Sequence, residues 1–244
     1  MYKDLAQLVY GEDPNLYTYG FDIYHGDDDH GPVQFGSALH PTDGSPARKF
    51  CWAKSTQGLS YVDPRYSLHK HQADAISAAY PGSFLFGGYH FLTNEENAIS
   101  QINHHLAVTD TAHKGSGYLL SLLDCETNPR TSTKPSINQV RAAYQHFVDV
   151  TGRGCVLYFG NSDYETLYKA AFPSSHYTIC IARYASDSAV AAGNAKGFHP
   201  PTSRVAFHQY TGTGRLPPAN SSAQPFDLDV YFGSFANLKS KLTY

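Results

Sequence analysis

The stretch "YLLSLLDCETNP", residues 118–129, runs from apolar residues straight into two acids, Asp124 and Glu126. Carboxylates are seldom fully buried unless paired, so an apolar segment that delivers two of them at one end needs a physical reason. In a strand, residues i and i+2 point to the same side. Asp124 and Glu126 therefore project together, with Cα atoms about 6.6 Å apart from the strand rise, while Cys125 points away. Parallel barrels carry their active sites at the C-terminal ends of their strands. Read as one barrel stave, this run brings its acids out at the open mouth.

The rest of the chain supplies the other staves. Seven further apolar runs read as strands: "LYTYGFDIY", "KFCWAKST", "SFLFGGYHF", "GCVLYFGN", "YTICIARY", "RVAFHQYT" and "FDLDVYF". Several are apolar on both alternating faces, as expected of strands covered on both sides. The early connections read as helices. Residues 64–80 follow Asp63-Pro64 and place Leu68, Ala75, Ile76 and Ala79 on one face. Thr93 and Glu96 read as a capping box ahead of Ala98, Ile99, Ile102 and Leu106. Pro135 opens a segment with Ile137, Val140, Ala143, Tyr144 and Phe147, and residues 162–171 form a shorter helix. Beyond residue 184 the connections, such as "GNAKGFHPPTS" and "GTGRLPPANSS", carry no helical period. The pattern predicts an α/β fold: a TIM-like barrel of eight strands with helices missing near the C-terminal end, of (β/α)5(β)3 type. A chain of 244 residues suits one such barrel. No repeat or linker divides it; residues 1–15 read as an N-terminal arm and 16–244 as a single barrel domain. Residues 27–48 read as a polar connection between the first two strands.

Composition narrows the function. A net charge of -3 provides no basic footprint and argues against nucleic acid as a partner. Charged residues are 16% of the chain, below the roughly 25% of an average soluble protein. Aromatics are 14%, with 19 Tyr, which suits stacking on sugar rings and equally a Tyr-rich core. No apolar run approaches the roughly 20 residues of a membrane span, so no membrane insertion is expected. The opening "MYKDLAQLVYGEDPN" lacks the pattern of a signal peptide. Cys51, Cys125, Cys155 and Cys180 are far apart and lie in apolar runs, which predicts buried reduced thiols rather than disulfides or a metal site. His69 with His71, and His104 with His105, read as solvated histidines on outer helices, since no HExxH accompanies them. His90 reads as packing beside the mouth, Asp27 to Asp29 as a solvated acidic loop, and Gly212 to Gly214 as a turn.

Further acids converge on the same end. Asp22 lies near the end of the first strand; Asp227 and Asp229 lie in the last. First and last strands adjoin in a closed barrel, which adds Asp22 and Asp227 to Asp124 and Glu126. Carboxylates so grouped suit glycoside cleavage, in which one acid must stay protonated and a neighbouring negative charge helps it do so. An isolated DxE more often caps a helix or pairs with Arg; the convergence of several acids favours chemistry.

These residues resemble a known family, the glycoside hydrolase family 25 lysozymes, or Chalaropsis-type muramidases. Its G-x-D-x-x-H matches "GFDIYH", Gly20 to His25. Its "KATEG" matches "KSTQG", Lys54 to Gly58, followed by "YVDPRY". Its "G-x-YHF" matches "GGYHF", Gly87 to Phe91, and its "LDxE" matches "LDCE", Leu123 to Glu126. Its "IAxY" matches "IARY", Ile181 to Tyr184, its "WQYT" matches "HQYT", His208 to Thr211, and its "VDLN" matches "FDLD", Phe226 to Asp229. Each motif alone is weak; seven in family order, over residues 18 to 235, are specific.

The resemblance implies an eight-stranded barrel with helices missing near the end, and cleavage of the β-1,4 bond between N-acetylmuramic acid and N-acetylglucosamine in peptidoglycan. It makes Glu126 the general acid, Asp124 its partner carboxylate, and Asp22 and Asp227 the other acids of the catalytic set. Tyr89, Phe91, Tyr158, Tyr184 and Gln209 match groove positions, and Lys54 and His208 join them as substrate-binding residues. Three routes are open to the attack on the sugar: a protein nucleophile, an activated water, or the substrate's own acetamido oxygen. The third is preferred because muramic acid carries the N-acetyl group, with Asp124 stabilising the intermediate. No cofactor and no metal are implied; the expected partner is the peptidoglycan glycan strand and the expected state a monomer. The absence of a signal-peptide pattern suggests synthesis in the cytoplasm and action on the wall, as a phage endolysin released through a holin or as a secreted effector. Departures are Gln57 for the usual Glu, Cys180 and His208 where the family often carries Trp, and no "DW" after His25; they imply altered stacking on the saccharide. The competing readings are another glycosidase such as a chitinase, and a non-catalytic carbohydrate-binding protein on the same scaffold.

Overall fold

The computed structural model describes residues 10, 13–29, 31–184, 205–216 and 225–244. Nine strands among them form one sheet: β1 (Tyr17–Ile23), β2 (Arg48–Gln57), β3 (Tyr61–Val62), β4 (Leu85–Phe91), β5 (Leu122–Asp124), β6 (Val156–Gly160), β7 (Ile179–Ala182), β8 (Phe207–Gly214) and β9 (Phe226–Phe232). Their order is β1-β9-β8-β7-β6-β5-β4-β2-β3, and a β1–β2 pairing closes eight of them into a barrel. The ninth, β3, is a hairpin appended to β2. Helices α1 (Phe35–Leu39), α2 (Tyr66–Ala79), α3 (Ala98–Thr109), α4 (Ile137–Thr151) and α5 (Asn161–Asp163, continued by a π turn over Tyr164–Tyr168) follow the first five barrel strands. Among the described residues, no helix separates β7, β8 and β9. The expected (β/α)5(β)3 architecture is therefore observed, although residues 185–204 and 217–224, where the loss of helices was also expected, lie outside the described residues.

The barrel is not parallel throughout. β9 runs antiparallel to both of its neighbours, β1 and β8, while the other barrel pairings are parallel. This reversal matters for the acids. Asp227 lies near the start of its strand, and it reaches the mouth only because that strand runs the other way.

The fourth stave also differs from expectation. Only Leu122–Asp124 forms a ladder strand, although the apolar run begins at residue 118. The residues before it pair instead with the C-terminal tail: Leu120 N–H donates to Leu242 O at 2.8 Å and Tyr244 N–H to Tyr118 O at 2.9 Å. Helix α6 (Phe235–Lys241), capped by Ser234, brings that tail across the end of the barrel opposite the mouth. No periodicity in the sequence announces it, because seven residues make only two turns.

Side-chain alternation sorts the core into an interior and two outer layers. Phe50, Trp52, Leu122, Val156, Phe207 and Tyr231 point inward and meet Leu238, Leu242 and Tyr244 of the tail. Outward residues of the same strands pack under the helices. Helix α4 shows the logic. Ser136 and Gln139 close a capping box, and Gly152 ends the helix at φ 72°, a left-handed conformation that favours glycine. Val140, Ala143, Phe147 and Thr151 form its buried stripe. Full burial of one Val or Phe contributes about 1.5–3 kcal/mol.

Three local expectations are corrected. Helix α3 is capped by Asn97, whose side chain accepts from Ser100 N–H at 3.0 Å; Thr93 and Glu96 bond each other at 3.2 Å, and Glu96 instead accepts from Leu59 N–H across the β2–β3 turn. Helix α2 buries Tyr66, His69 and Ala73, while Ala75 and Ala79 are exposed. Its face is rotated because His69 finds an acid partner, Asp28, at 3.1 Å. Nor are all the paired histidines solvated. His69 and His105 are fully buried, and His105 bonds Ser55 and Ser121 at 2.8 and 2.9 Å. Partners for both of its ring nitrogens make the burial of His105 tolerable, whereas His69 is held through Nε2 alone.

Candidate active site

Eight residues line a pocket of about 90 Å³ at the mouth: Asp22, Tyr89, Leu122, Asp124, Glu126, Tyr158, Gln209 and Asp227. All four expected acids and three of the expected groove residues are thus brought together from β1, β4, β6, β8, β9 and the end of β5. Leu122, Asp124 and Glu126 face inward, while Leu123 and Cys125 pack in the outer core. The period-two reading of "LDCE" therefore holds past the last ladder residue.

The pair at the end of β5 is tied together by its own backbone. Glu126 N–H donates to Asp124 Oδ1 at 3.1 Å. Burial holds Asp124 well above the usual carboxylate range, and the Glu126 charge adds to this; the Lys54 ammonium and the Glu126 amide act in the opposite direction. Burial likewise raises Glu126, with the Asp163 charge adding to it, and no cation opposes the rise. The Lys54 ammonium and the Glu126 amide thus favour charge on Asp124, against a burial that raises Asp124 further than Glu126. Lys54 donates to Gln57 Oε1 at 2.9 Å and sits over the Phe91 and Tyr61 rings, 5.1 and 5.7 Å from their centroids. Gln57, standing where Glu was expected, thus still provides an acceptor for Lys54.

Across the pocket, Gln209 organises the opposite wall. Its carbonyl accepts from Tyr158 OH at 2.7 Å and from Tyr184 OH, which turns its amide to donate to Asp22 Oδ2 at 2.6 Å. Tyr184 itself is half exposed. Asp22 and Asp227 are direct cross-strand partners. Like charges in that position repel. Burial, then Asp22, then Glu126 push Asp227 up to about 8. A Cβ at Gly212 would come within 3.0 Å of Asp227 Oδ1, so bare backbone there leaves the carboxyl its room.

Several expected residues lie elsewhere. His208 points away from the pocket and is fully buried; Tyr10 OH bonds its Nδ1 at 2.7 Å and its Nε2 bonds Arg183 O at 2.8 Å. Cys180 belongs to the barrel interior beside Phe207. Both ring nitrogens of His208 are therefore engaged away from the mouth, and neither replaced Trp position offers a ring to the pocket. His90 is buried behind the strand, against Thr56 at 2.8 Å. Asp27 and Asp28 are buried rather than solvated: Asp27 accepts from Tyr24 N–H at 2.8 Å and Asp28 from Val33 N–H at 3.0 Å. Burial pushes Asp27 up to about 7. All four cysteines are buried and free. Among the described residues no group of three His, Cys, Asp or Glu is placed to hold a metal ion, and no helix is long and apolar enough to cross a membrane. Asp229 is the residue that motif reading passed over. It shares the inward face of β9 with Asp227, and the period of two that places one places the other.

A carboxyl pair beside an opposed acid pair, at the mouth of an eight-stranded barrel, is an arrangement that suits glycoside cleavage. The family model of the glycosyl hydrolases family 25 matches residues 22–218, and the chain belongs to that family. It is an enzyme of the lysozyme type, a peptidoglycan hydrolase in general terms. Solved structures share the fold. A family 25 lysozyme from Aspergillus fumigatus is 19% identical, with 93% of this chain and 100% of that one covered at TM-score 0.72. A muramidase from Trichobolus zukalii is 20% identical, with 91% and 97% covered at TM-score 0.68. The catalytic domain of an endolysin from bacteriophage P40 of Listeria monocytogenes is 21% identical, with 93% and 98% covered at TM-score 0.65. No curated protein sequence matches this chain.

Proposed function

We propose that the protein is an N-acetylmuramidase that cleaves the β-1,4 bond between N-acetylmuramic acid and N-acetylglucosamine, with residues 16–244 as one catalytic unit. Glu126 is the general acid and protonates the leaving oxygen as the bond to the anomeric carbon breaks. The substrate's acetamido oxygen attacks that carbon, and the Asp124 carboxylate stabilises the positive cyclic intermediate. Water then opens it, with Glu126 taking back a proton, and the anomeric configuration is retained. Asp22 and Asp227 complete the acidic wall, and Tyr89, Phe91, Tyr158, Tyr184 and Gln209 contact the glycan. The observation that carries this reading is the gathering of Asp22, Asp124, Glu126 and Asp227 in one pocket, with the Glu126 N–H bound to Asp124 and Lys54 favouring charge there. The endolysin and muramidase neighbours support peptidoglycan as the substrate.

The test is digestion of purified peptidoglycan by wild type and Glu126→Gln, with mass spectrometry of products before and after borohydride reduction. New reducing ends on muramic acid, absent in the variant, support the assignment. Reducing ends on glucosamine overturn the bond; an inverted product anomer by NMR overturns the acetamido route. Wall binding without cleavage moves the reading to a carbohydrate-binding protein.

A further inference from the structure

A second cavity opens at the closed end of the barrel, about 450 Å³ in volume against about 90 Å³ at the mouth. It lies between the end of α2, the start of β4 and the C-terminal tail. Leu85 begins β4 and lines this cavity, while Tyr89 further along the same strand lines the mouth, so the two sites open at opposite ends of one stave. The floor is aromatic: Phe84 and Phe86 are buried and Tyr118 is half-buried. Polar groups converge above it. Tyr118 OH donates to Asp74 Oδ1 at 2.6 Å and Lys70 Nζ to Asp74 Oδ2 at 2.8 Å, so the Asp74 carboxylate is fixed and its charge matched. Lys239 Nζ donates to Gly82 O at 3.1 Å. Gly82 has φ 71°, and a Cβ there would come within 3.2 Å of that ammonium, so bare backbone leaves the ammonium its seat. Lys70, Lys134 and Lys169 each pair with a carboxylate; among the described residues Lys239 has none, which leaves this cavity one cation in excess. Ser116 and Thr243 spend their hydroxyl protons on backbone carbonyls, Thr111 O at 2.7 Å and Lys239 O at 2.8 Å, and so keep oxygens that accept.

We propose that this cavity is a second glycan-binding site, which holds a stretch of wall glycan other than the one being cut. A sugar chain presents hydroxyl and amide protons around an apolar ring face, and the muramic acid units of peptidoglycan carry substituents that end in carboxylates. The cavity matches each of these features. Asp74, Ser116 and Thr243 accept from the hydroxyl and amide protons, Lys239 takes a carboxylate, and Phe84 and Tyr118 meet the apolar ring face. The volume falls within the range of about 300–1,000 Å³ usual for small-molecule sites, and a few fixed polar groups over an apolar floor are their usual lining. A second point of attachment raises the effective concentration of the mouth at an insoluble polymer without any new contact at the mouth itself. The choice of peptidoglycan as the glycan rests on the muramidase reading; the site itself does not.

The test is co-sedimentation with insoluble, purified peptidoglycan. It compares Glu126→Gln, which leaves the wall uncut, with the same chain carrying Lys239→Ala or Ser77→Trp. Ser77 lines the cavity, and a Trp there fills it. Each added substitution should weaken wall binding about tenfold, the equivalent of one hydrogen bond to a charged group in the case of Lys239→Ala. No measurable wall binding by Glu126→Gln, or binding unchanged by both added substitutions, overturns the proposal. Polyglutamate, an anionic chain without sugar rings, should not compete; competition that depends on Lys239 replaces the glycan site with a plain anion site. With Glu126 restored, Lys239→Ala and Ser77→Trp should slow cleavage of the insoluble wall and leave kcat/KM on a soluble peptidoglycan tetrasaccharide unchanged. Equal losses on both substrates mean a disturbed fold and overturn the proposal. If the unsubstituted protein cleaves neither substrate while wall binding still depends on Lys239, the hydrolase reading falls and the site stands.

Discussion

The two ends of this barrel are built from the same strands and are chemically opposite. At the closed end, Trp52 packs edge-to-face on Phe50 and Phe207 with centroids 5.3 and 4.9 Å apart, its indole N–H donates to Leu120 O at 2.9 Å, and the Leu242–Tyr244 tail completes the seal. At the mouth, Asp22, Asp124, Glu126 and Asp227 crowd together, with Lys54 as the only cation that lowers any of their pKa values among the described residues. The closed end satisfies its polar groups and contributes stability. The mouth holds carboxyls at raised pKa values, which lowers stability as pH rises and keeps protons available for transfer. Stability and chemistry are thus divided between the two ends of the same staves.

The division can be broken from either side. Glu126→Gln should lower kcat by about 10²–10⁴-fold, the usual size of a general-acid contribution, without lowering the melting temperature; a variant that melts well below wild type would show that the mouth also carries structure. Trp52→Ala should cost about 3–5 kcal/mol by chemical denaturation and remove activity only through unfolding. Asp227→Asn should gain stability relative to wild type as pH rises from about 4 to 8, on the order of 1–3 kcal/mol at the upper end, because it removes an acid raised to about 8. A gain that does not depend on pH would sink the account of the mouth. Tyr158→Phe, which loses its bond to Gln209, should reduce kcat/KM about three- to tenfold, the equivalent of one neutral hydrogen bond. Tyr244→Phe at the closed end removes the bond to Ser121 at 3.1 Å and should cost about 0.5–1.5 kcal/mol of stability with kcat unchanged.

Much of this contrast is legible along the chain. Strands announce themselves by apolar runs and period-two alternation, and that alternation puts Leu122, Asp124 and Glu126 on one side and Leu123 and Cys125 on the other. The same alternation in "FDLD" pairs Asp227 with Asp229. What could not be read was partnership. His69 and His105 are polar residues on helices, and their burial depends on Asp28 and on Ser55 with Ser121, residues distant in sequence. His208 matches a groove motif, yet its ring lies on the outer face against Tyr10. A motif match carries residue type but not the side of the strand on which a substituted residue finds its hydrogen bonds.

The sequence by itself determined the staves, the helices between the first five of them, the family and the residues of the acid set, because burial periodicity and local capping act over a few residues. Only the tertiary structure decided the reversal of β9, the sealing of the closed end by the C-terminal tail, and the placing of Asp227 opposite Asp22. These depend on strand pairing across more than 200 residues, and the direction in which two distant segments pair is set by closure of the whole barrel rather than by either segment alone.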